Sequence, residues 1–392
     1  MTYAVRGLGL VFSLVLVSTL AACSLVQLDS QAATASTTTS TGAYVYIQIQ
    51  GPEGSVYGFR ASPTGHLSPI HGSPFKPAGE IVGGTPTKFF TLGKDLVHSY
   101  TIAPDGAIGL QMAQIPIFEY AGSRCGGDTT GVNGAVLDHT GKYVYVLLED
   151  GGDWSCSAYQ TYKINSDGSF SFDGDTEENW GDQIGEPDPY SVGLPSILGN
   201  ESFAYADESA GHESSTVGFR REDSGALQVM PQFAETDPTL ANGYYVPYSP
   251  DASPSGSYVV VQLYPDDGTP AQLASYTVDS VGNISTTNTS NNMPTSAFPE
   301  PRTTFSRSGN LFVAYEDGIE IYKFNGAAPL TLYKTLLYGT PIDDVKWDGS
   351  NHMYAISSYN SMLYVFTVTS TSVTEDTALS IGSPFKMVVV SE

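Results

Sequence analysis

One phrase recurs seven times along this chain: a short apolar strand carrying an aromatic residue, then a turn residue about six positions later. The aromatics are Phe59, Tyr100, Tyr162, Phe219, Tyr276, Tyr322 and Phe366. The glycines that follow are Gly65, Gly106, Gly168, Gly225 and Gly282; the sixth copy turns early, at Gly326, and the seventh has Ser372 in that place. Successive aromatics stand 41, 62, 57, 57, 46 and 44 residues apart. A unit of that size cannot bury its own apolar face, so the copies must stack or close into a ring. The expected fold is all-β: a seven-bladed β-propeller of four-stranded antiparallel blades, spanning 44–392.

Each unit should read strand A, hairpin, strand B, loop, strand C, turn, strand D. In blade 3, Gly134 to Leu137 reads as A, Tyr143 to Leu148 as B, Tyr159 to Ile164 as C and Ser169 to Phe172 as D. Blades 5, 6 and 7 repeat it, with A–B turns at Ser255-Gly256, Ser308-Gly309 and Asp348-Gly349, pairs suited to φ > 0. Blade 2 reads weakly, because only Glu80 to Leu96 is left for its A and B strands. Blade 1 lacks an A strand, and Tyr44 to Gln48 reads as its B strand. Lys386 to Ser391, an apolar strand with no blade of its own, is expected to supply the missing piece and close the ring.

The N-terminus reads as a processing signal over 1–22. Arg6 precedes an apolar run from Leu8 to Leu20, shorter than the roughly 20 residues of a bilayer span. The run ends in Leu20-Ala21-Ala22-Cys23, which resembles the bacterial lipoprotein box and implies cleavage before a lipidated Cys23. Ser24 follows instead of an aspartate, which favours the outer membrane, facing the periplasm or the cell surface. Residues 23–43 are small and polar, a flexible tether.

A net charge of −25 with only 16 Lys and Arg argues against nucleic acid, which needs clustered cations. No strand–GxGxxG–helix unit is present, so no dinucleotide cofactor is expected. Cys125 and Cys156 remain after processing. An even pair in an oxidising compartment suggests a disulfide, with two buried thiols as the alternative.

Two segments carry a resemblance beyond architecture. His66-Leu67-Ser68-Pro69-Ile70-His71-Gly72-Ser73-Pro74-Phe75 follows the Thr64-Gly65 turn, and Gly382-Ser383-Pro384-Phe385 precedes the last strand. This phrase resembles the lactonase-type seven-bladed propellers, which are similar to 6-phosphogluconolactonase and to surface "YVTN" repeat proteins. The resemblance implies lactone hydrolysis or formation at the central channel, which needs a general base and oxyanion donors.

Such groups are few here. His139 and His352 read as A–B turn residues, on the face opposite the B–C loops. His66 and His71 flank an outer D strand, and His98 lies on a C strand. His212 in the B–C loop of blade 4 is the one histidine with the right position, with Glu213, Arg302 and Arg124 as neighbours for a catalytic set.

The B–C face is instead rich in acid: Glu149, Asp150, Asp153, Asp207, Glu208, Asp266, Asp267, Glu316 and Asp317. Asp173-x-Asp175-x-Glu177, in the connection into blade 4, has the alternating spacing that Ca²⁺ ligands use, without the rest of a known calcium loop. Trp154, Trp180 and Tyr264 lie among these acids, a mixture that suits saccharide or peptide. The leading expectation is a monomeric, lipid-anchored envelope propeller that binds a protein or envelope ligand on its B–C face without catalysis. The alternative is a lactonase-like hydrolase.

Overall fold

The computed structural model describes residues 42–391, apart from 52–53, 119–129, 151–156, 178–190, 211–212, 237, 241–242 and 267–269. Among the described residues there is no helix, and thirty strands form seven sheets. The sheets are the seven blades, and the A strands of successive blades meet around the centre. The D strands form the rim: in Ile108–Pro116 and Val373–Ser380 no residue is buried.

Blade 3 follows the expected order with longer strands: A Thr130–Leu137, B Tyr143–Asp150, C Ser157–Ile164 and D Phe170–Glu177. Blade 2, read as weak, is complete: Glu80–Thr85, Lys88–Leu92, Leu96–Ile102 and Ile108–Pro116. Its A strand is disguised by Gly83-Gly84, and the reason is packing. A Cβ on Gly83 would come within 2.9 Å of Leu137 in blade 3, and one on Gly84 within 2.8 Å of Val390 in blade 1. Glycine weakens a strand but admits this close approach.

Two blades carry irregular edges. The A strand of blade 4 is split into Ser191–Val192 and Ser196–Ile197, both along the B strand Phe203–Ala210. Blade 5 gains a fifth, outermost strand, Glu235–Thr236, parallel to its short D strand Ile284–Ser285.

The ring closes as expected. Pro384–Ser391 lies against Ala43–Ile49 as the inner strand of blade 1, with Ala43 opposite Ser391 and Val45 opposite Val389. Ala43–Ile49 is buried at all but its last residue, and Met387 to Val390 of the closing strand are buried too, so closure removes two edges and much apolar surface at once.

The seven recurring aromatics are core residues, none more than 8% exposed. Their partner glycines serve the seam between blades. Each of the six has φ between +66° and +101°, a region that a side chain enters only with strain. Each also faces the preceding blade. A Cβ on Gly225 would lie 2.1 Å from Tyr143, one on Gly282 2.6 Å from Phe203, and one on Gly106 2.5 Å from Tyr44. Two residues further along each of those B strands a second ring donates to the same turn. Tyr46 Oη reaches the Gly106 carbonyl at 2.7 Å, Tyr145 Oη that of Gly225 at 2.8 Å, and Tyr205 Oη that of Gly282 at 2.8 Å. Burial raises all three phenol pKa values, so they stay neutral donors.

Gly225→Ala should therefore lower stability by about 3 kcal/mol, combining a left-handed alanine with overpacking against Tyr143. Gly339→Ala, at φ +79° but with nothing within 4 Å of a Cβ, should cost only about 1 kcal/mol. Urea unfolding of the two variants measures the difference, and equal losses would refute the seam packing.

Candidate functional site on the B–C face

The inner strand of blade 5, Tyr245–Ala252, does not run straight. Its pairing with Tyr258–Pro265 breaks between Tyr248 and Asp251, and Ser249 in the break has φ +42°. Bulges of this kind re-aim neighbouring side chains. Tyr248 is left 42% exposed, its ring edge-on to Tyr264 at 5.7 Å between centroids and 89°. The buried Gln262 amide donates to the Tyr264 hydroxyl from the same B strand.

Carboxylates surround this pair. Burial, then the charges of Asp207 and Glu300, raise the Tyr248 phenol pKa. Burial, then Glu300, Tyr248 and Glu316, raise that of Tyr264. Asp207 belongs to the B strand of blade 4 and is itself pushed up by burial. Glu316 accepts the Glu300 backbone N–H at 2.9 Å, joining the B–C loop of blade 6 to the connection that enters it. Arg302 opens the A strand of blade 6, Arg302–Phe305, and donates to the Asp343 carbonyl at 2.7 Å.

Exposed rings extend along this face. Tyr244 (53%) precedes the A strand of blade 5, Tyr338 (75%) the A strand of blade 7, and Tyr359 (77%) sits in the B–C turn of blade 7. With Tyr248 these are the four strongly exposed tyrosines among the described residues, and all lie on the B–C face. Backbone bonds fix two of the connections. Asp266 accepts the Tyr244 N–H at 3.2 Å, and the Gly339 N–H bonds the Asp317 carbonyl at 2.8 Å.

The sequence-expected catalytic set is only partly placed. Arg302 and the Glu213 backbone, which opens strand C of blade 4, are described; His212, Arg124 and the Glu213 side chain lie outside the described residues. So do Cys23, Cys125 and Cys156. Asp173, Asp175 and Glu177 fall within strand D of blade 3 and not in the connection after it, because that strand continues to Glu177. Among the described residues no group of three or more His, Cys, Asp or Glu is placed to hold a metal; the Glu177 side chain is outside that set. Asp207, Glu208 and Glu149, read as loop acids, are strand residues for the same reason: their B strands run on.

The histidines need one correction. His139 is in the A–B turn of blade 3, Nδ1 3.3 Å from Glu201 Oε1. His352 is not a turn residue but the first residue of strand B in blade 7, 2% exposed, packed beneath Gly65 of blade 1. It occupies the seam position that Tyr143 and Phe203 hold in blades 3 and 4. His98 is buried on strand C of blade 2, which lowers its pKa.

On the A–B face, Arg221 joins blades 3 and 4: it pairs with Asp138 at 2.9 Å and with Glu201, and its guanidinium lies 4.7 Å over the Tyr143 ring. Glu201 has φ +61°, in the turn position where blades 3, 5 and 6 have Gly141, Gly256 and Gly309.

His352 Nδ1 lies 2.7 Å from Asp348 Oδ2. That bond raises the histidine pKa against the opposing effect of burial. Burial works against the Asp348 charge, yet hydrogen bonds from the His352 ring and from the His352 and Ser350 N–H groups hold its pKa below the ordinary value. The histidine's contribution is complete below its unfolded pKa of about 6.5 and fades as pH rises through the higher folded value. That of Asp348 is complete above about pH 4 and fades as pH falls through its lower folded value. Asp348→Asn should lower stability by about 3 kcal/mol at pH 6, and the gap from the parent should narrow towards pH 9. A gap independent of pH in thermal unfolding would show that the pair is not ionic.

No protein-family model matches this chain, and no curated protein matches it in sequence. Solved structures do match. The periplasmic gluconolactonase PpgL of Pseudomonas aeruginosa superposes with a TM-score of 0.60 at 13% identity, covering 89% of this chain and 99% of that one. A 6-phosphogluconolactonase-like protein from Bacteroides fragilis gives 0.63 at 13%, covering 92% and 100%. Its counterpart from Bacteroides uniformis gives 0.63 at 12%, covering 89% and 100%. At these identities the likeness speaks for fold. The chain is a seven-bladed β-propeller.

Proposed function

We propose that this protein is a lipid-anchored propeller of the cell envelope that captures a saccharide-bearing envelope ligand on its B–C face without turning it over. The observation that supports this most is the grouping of the four exposed tyrosines on one face, with Asp207 and Glu300 beside Tyr248 and Glu316 beside its partner ring Tyr264. Tyrosine rings offer flat apolar faces with a polar tip, the combination that favours recognition surfaces. Carboxylates accept the hydroxyl and amine donors of a sugar. The spread of the rings over blades 5 to 7 suits an extended ligand. The Leu-Ala-Ala-Cys ending at Cys23 supports the anchor.

In a sedimentation assay with isolated envelope polymer, Tyr248→Ala combined with Tyr338→Ala should weaken binding at least about tenfold, roughly 1.4 kcal/mol. Arg220→Gln, on the A–B face, should leave binding unchanged. Equal binding by all forms would sink the proposal. Cys23→Ser should shift the protein from the membrane to the soluble fraction, and unchanged fractionation would remove the anchor from it.

A second reading, a lactonase-like hydrolase, is favoured by the gluconolactonase likeness and by Arg302, one strand away from Glu316. Its test is pH-stat hydrolysis of sugar lactones. Turnover above the spontaneous rate that is lost in His212→Ala and Arg302→Ala would replace the binding reading.

A further inference from the structure

On the A–B face, opposite the tyrosines, a groove of about 430 Å³ runs between blades 6 and 7. Blade 6 contributes Arg307, Asn310 and Lys323, and blade 7 contributes Trp347, Ser350 and Asn351. Arg307 stands in the A–B turn and makes no ion pair among the described residues. Lys323 lies 4.7 Å over the Tyr333 ring, a contact that leaves its charge without a carboxylate.

Asp348 is the one carboxylate on the groove wall, and its oxygens are occupied. Oδ1 accepts the N–H groups of Ser350 and His352 at 2.8 and 3.1 Å; Oδ2 takes His352 Nδ1 at 2.7 Å and the Tyr354 hydroxyl at 3.3 Å. Trp347, 7% exposed, lines the groove beside it.

The corresponding seam between blades 3 and 4 makes the contrast. There Arg221 is neutralised from within, by Asp138 and Glu201. In the groove between blades 6 and 7 two cations, Arg307 and Lys323, face one carboxylate, Asp348, in a chain whose net charge is −25.

We infer that the groove between blades 6 and 7 is a binding site for an oxyanion, a carboxylate, phosphate or sulfate group carried by a small ligand, with Arg307 as its principal partner. A planar guanidinium grips such groups through paired, charge-assisted hydrogen bonds. Lys323 adds a second positive charge, and Asn310, Ser350 and Asn351 supply neutral donors at the walls.

Isothermal titration of the purified protein with sodium phosphate, sulfate and acetate tests this, with chloride at matched ionic strength as the blank. At least one probe should bind saturably in the millimolar range or tighter. Arg307→Gln should weaken it at least about tenfold, and Lys323→Gln severalfold. Arg220→Gln, in the seam between blades 3 and 4, should leave it within about twofold. Arg307 is exposed, so its variant should keep the parent melting temperature without anion. No saturable binding up to about 50 mM, or binding that survives Arg307→Gln, overturns the site.

Discussion

The molecule depends on the seam where a ring at the start of one blade's B strand lies under the turn glycine of the next. Blades contribute stability mainly through such neighbours, since none has a closed core of its own. Five of the seven seams combine three things: a left-handed backbone, no Cβ, and a flat group beneath. Gly225 over Tyr143, with Tyr145 bonding the same turn, meets all three. Elsewhere the chain fills the seam with other groups, as where Gly168 lies against Met112 of blade 2. His352 is the ring at the seam between blades 7 and 1, and in blade 2 Ser99, on strand C and not strand B, donates to the Gly168 carbonyl at 2.7 Å.

That rigidity explains where variation is allowed. Buried strands B and C carry the seams, so their chemistry is narrow. The turns and connections at the two ends of each blade are free to differ. On one end the chain displays exposed tyrosines and carboxylates; on the other, Arg221 is ion-paired between blades 3 and 4, whereas Arg307 between blades 6 and 7 feels the Asp348 charge without an ion pair among the described residues.

Much of the architecture was legible in the sequence because seam glycines and aromatics recur at a fixed offset. The closing strand was legible too, as an apolar segment without a blade. Blade 2 was obscured because Gly83 and Gly84 answer to side chains of two other blades, information that no local pattern holds. His352 was misread because its neighbours Asp348, Gly349 and Ser350 are turn residues while the histidine itself packs. At the candidate site, Asp207, Glu316 and Tyr264 stood out among the acids and rings expected on the B–C face, whereas Glu300 did not. Nor did Tyr248, since its exposure follows from the bulge at Ser249. In a chain with 25 tyrosines, a packing ring and a displayed ring are written with the same letter.

The pairing of Ala43 with Ser391 has a further consequence. These residues stand where every other blade has its A–B turn, so the folded ring begins and finishes at one spot on one face. A short linker could join them, and new ends could be opened at another A–B turn without unpairing any strand from its partners. Both ends of the ring thus open on the face opposite the exposed tyrosines.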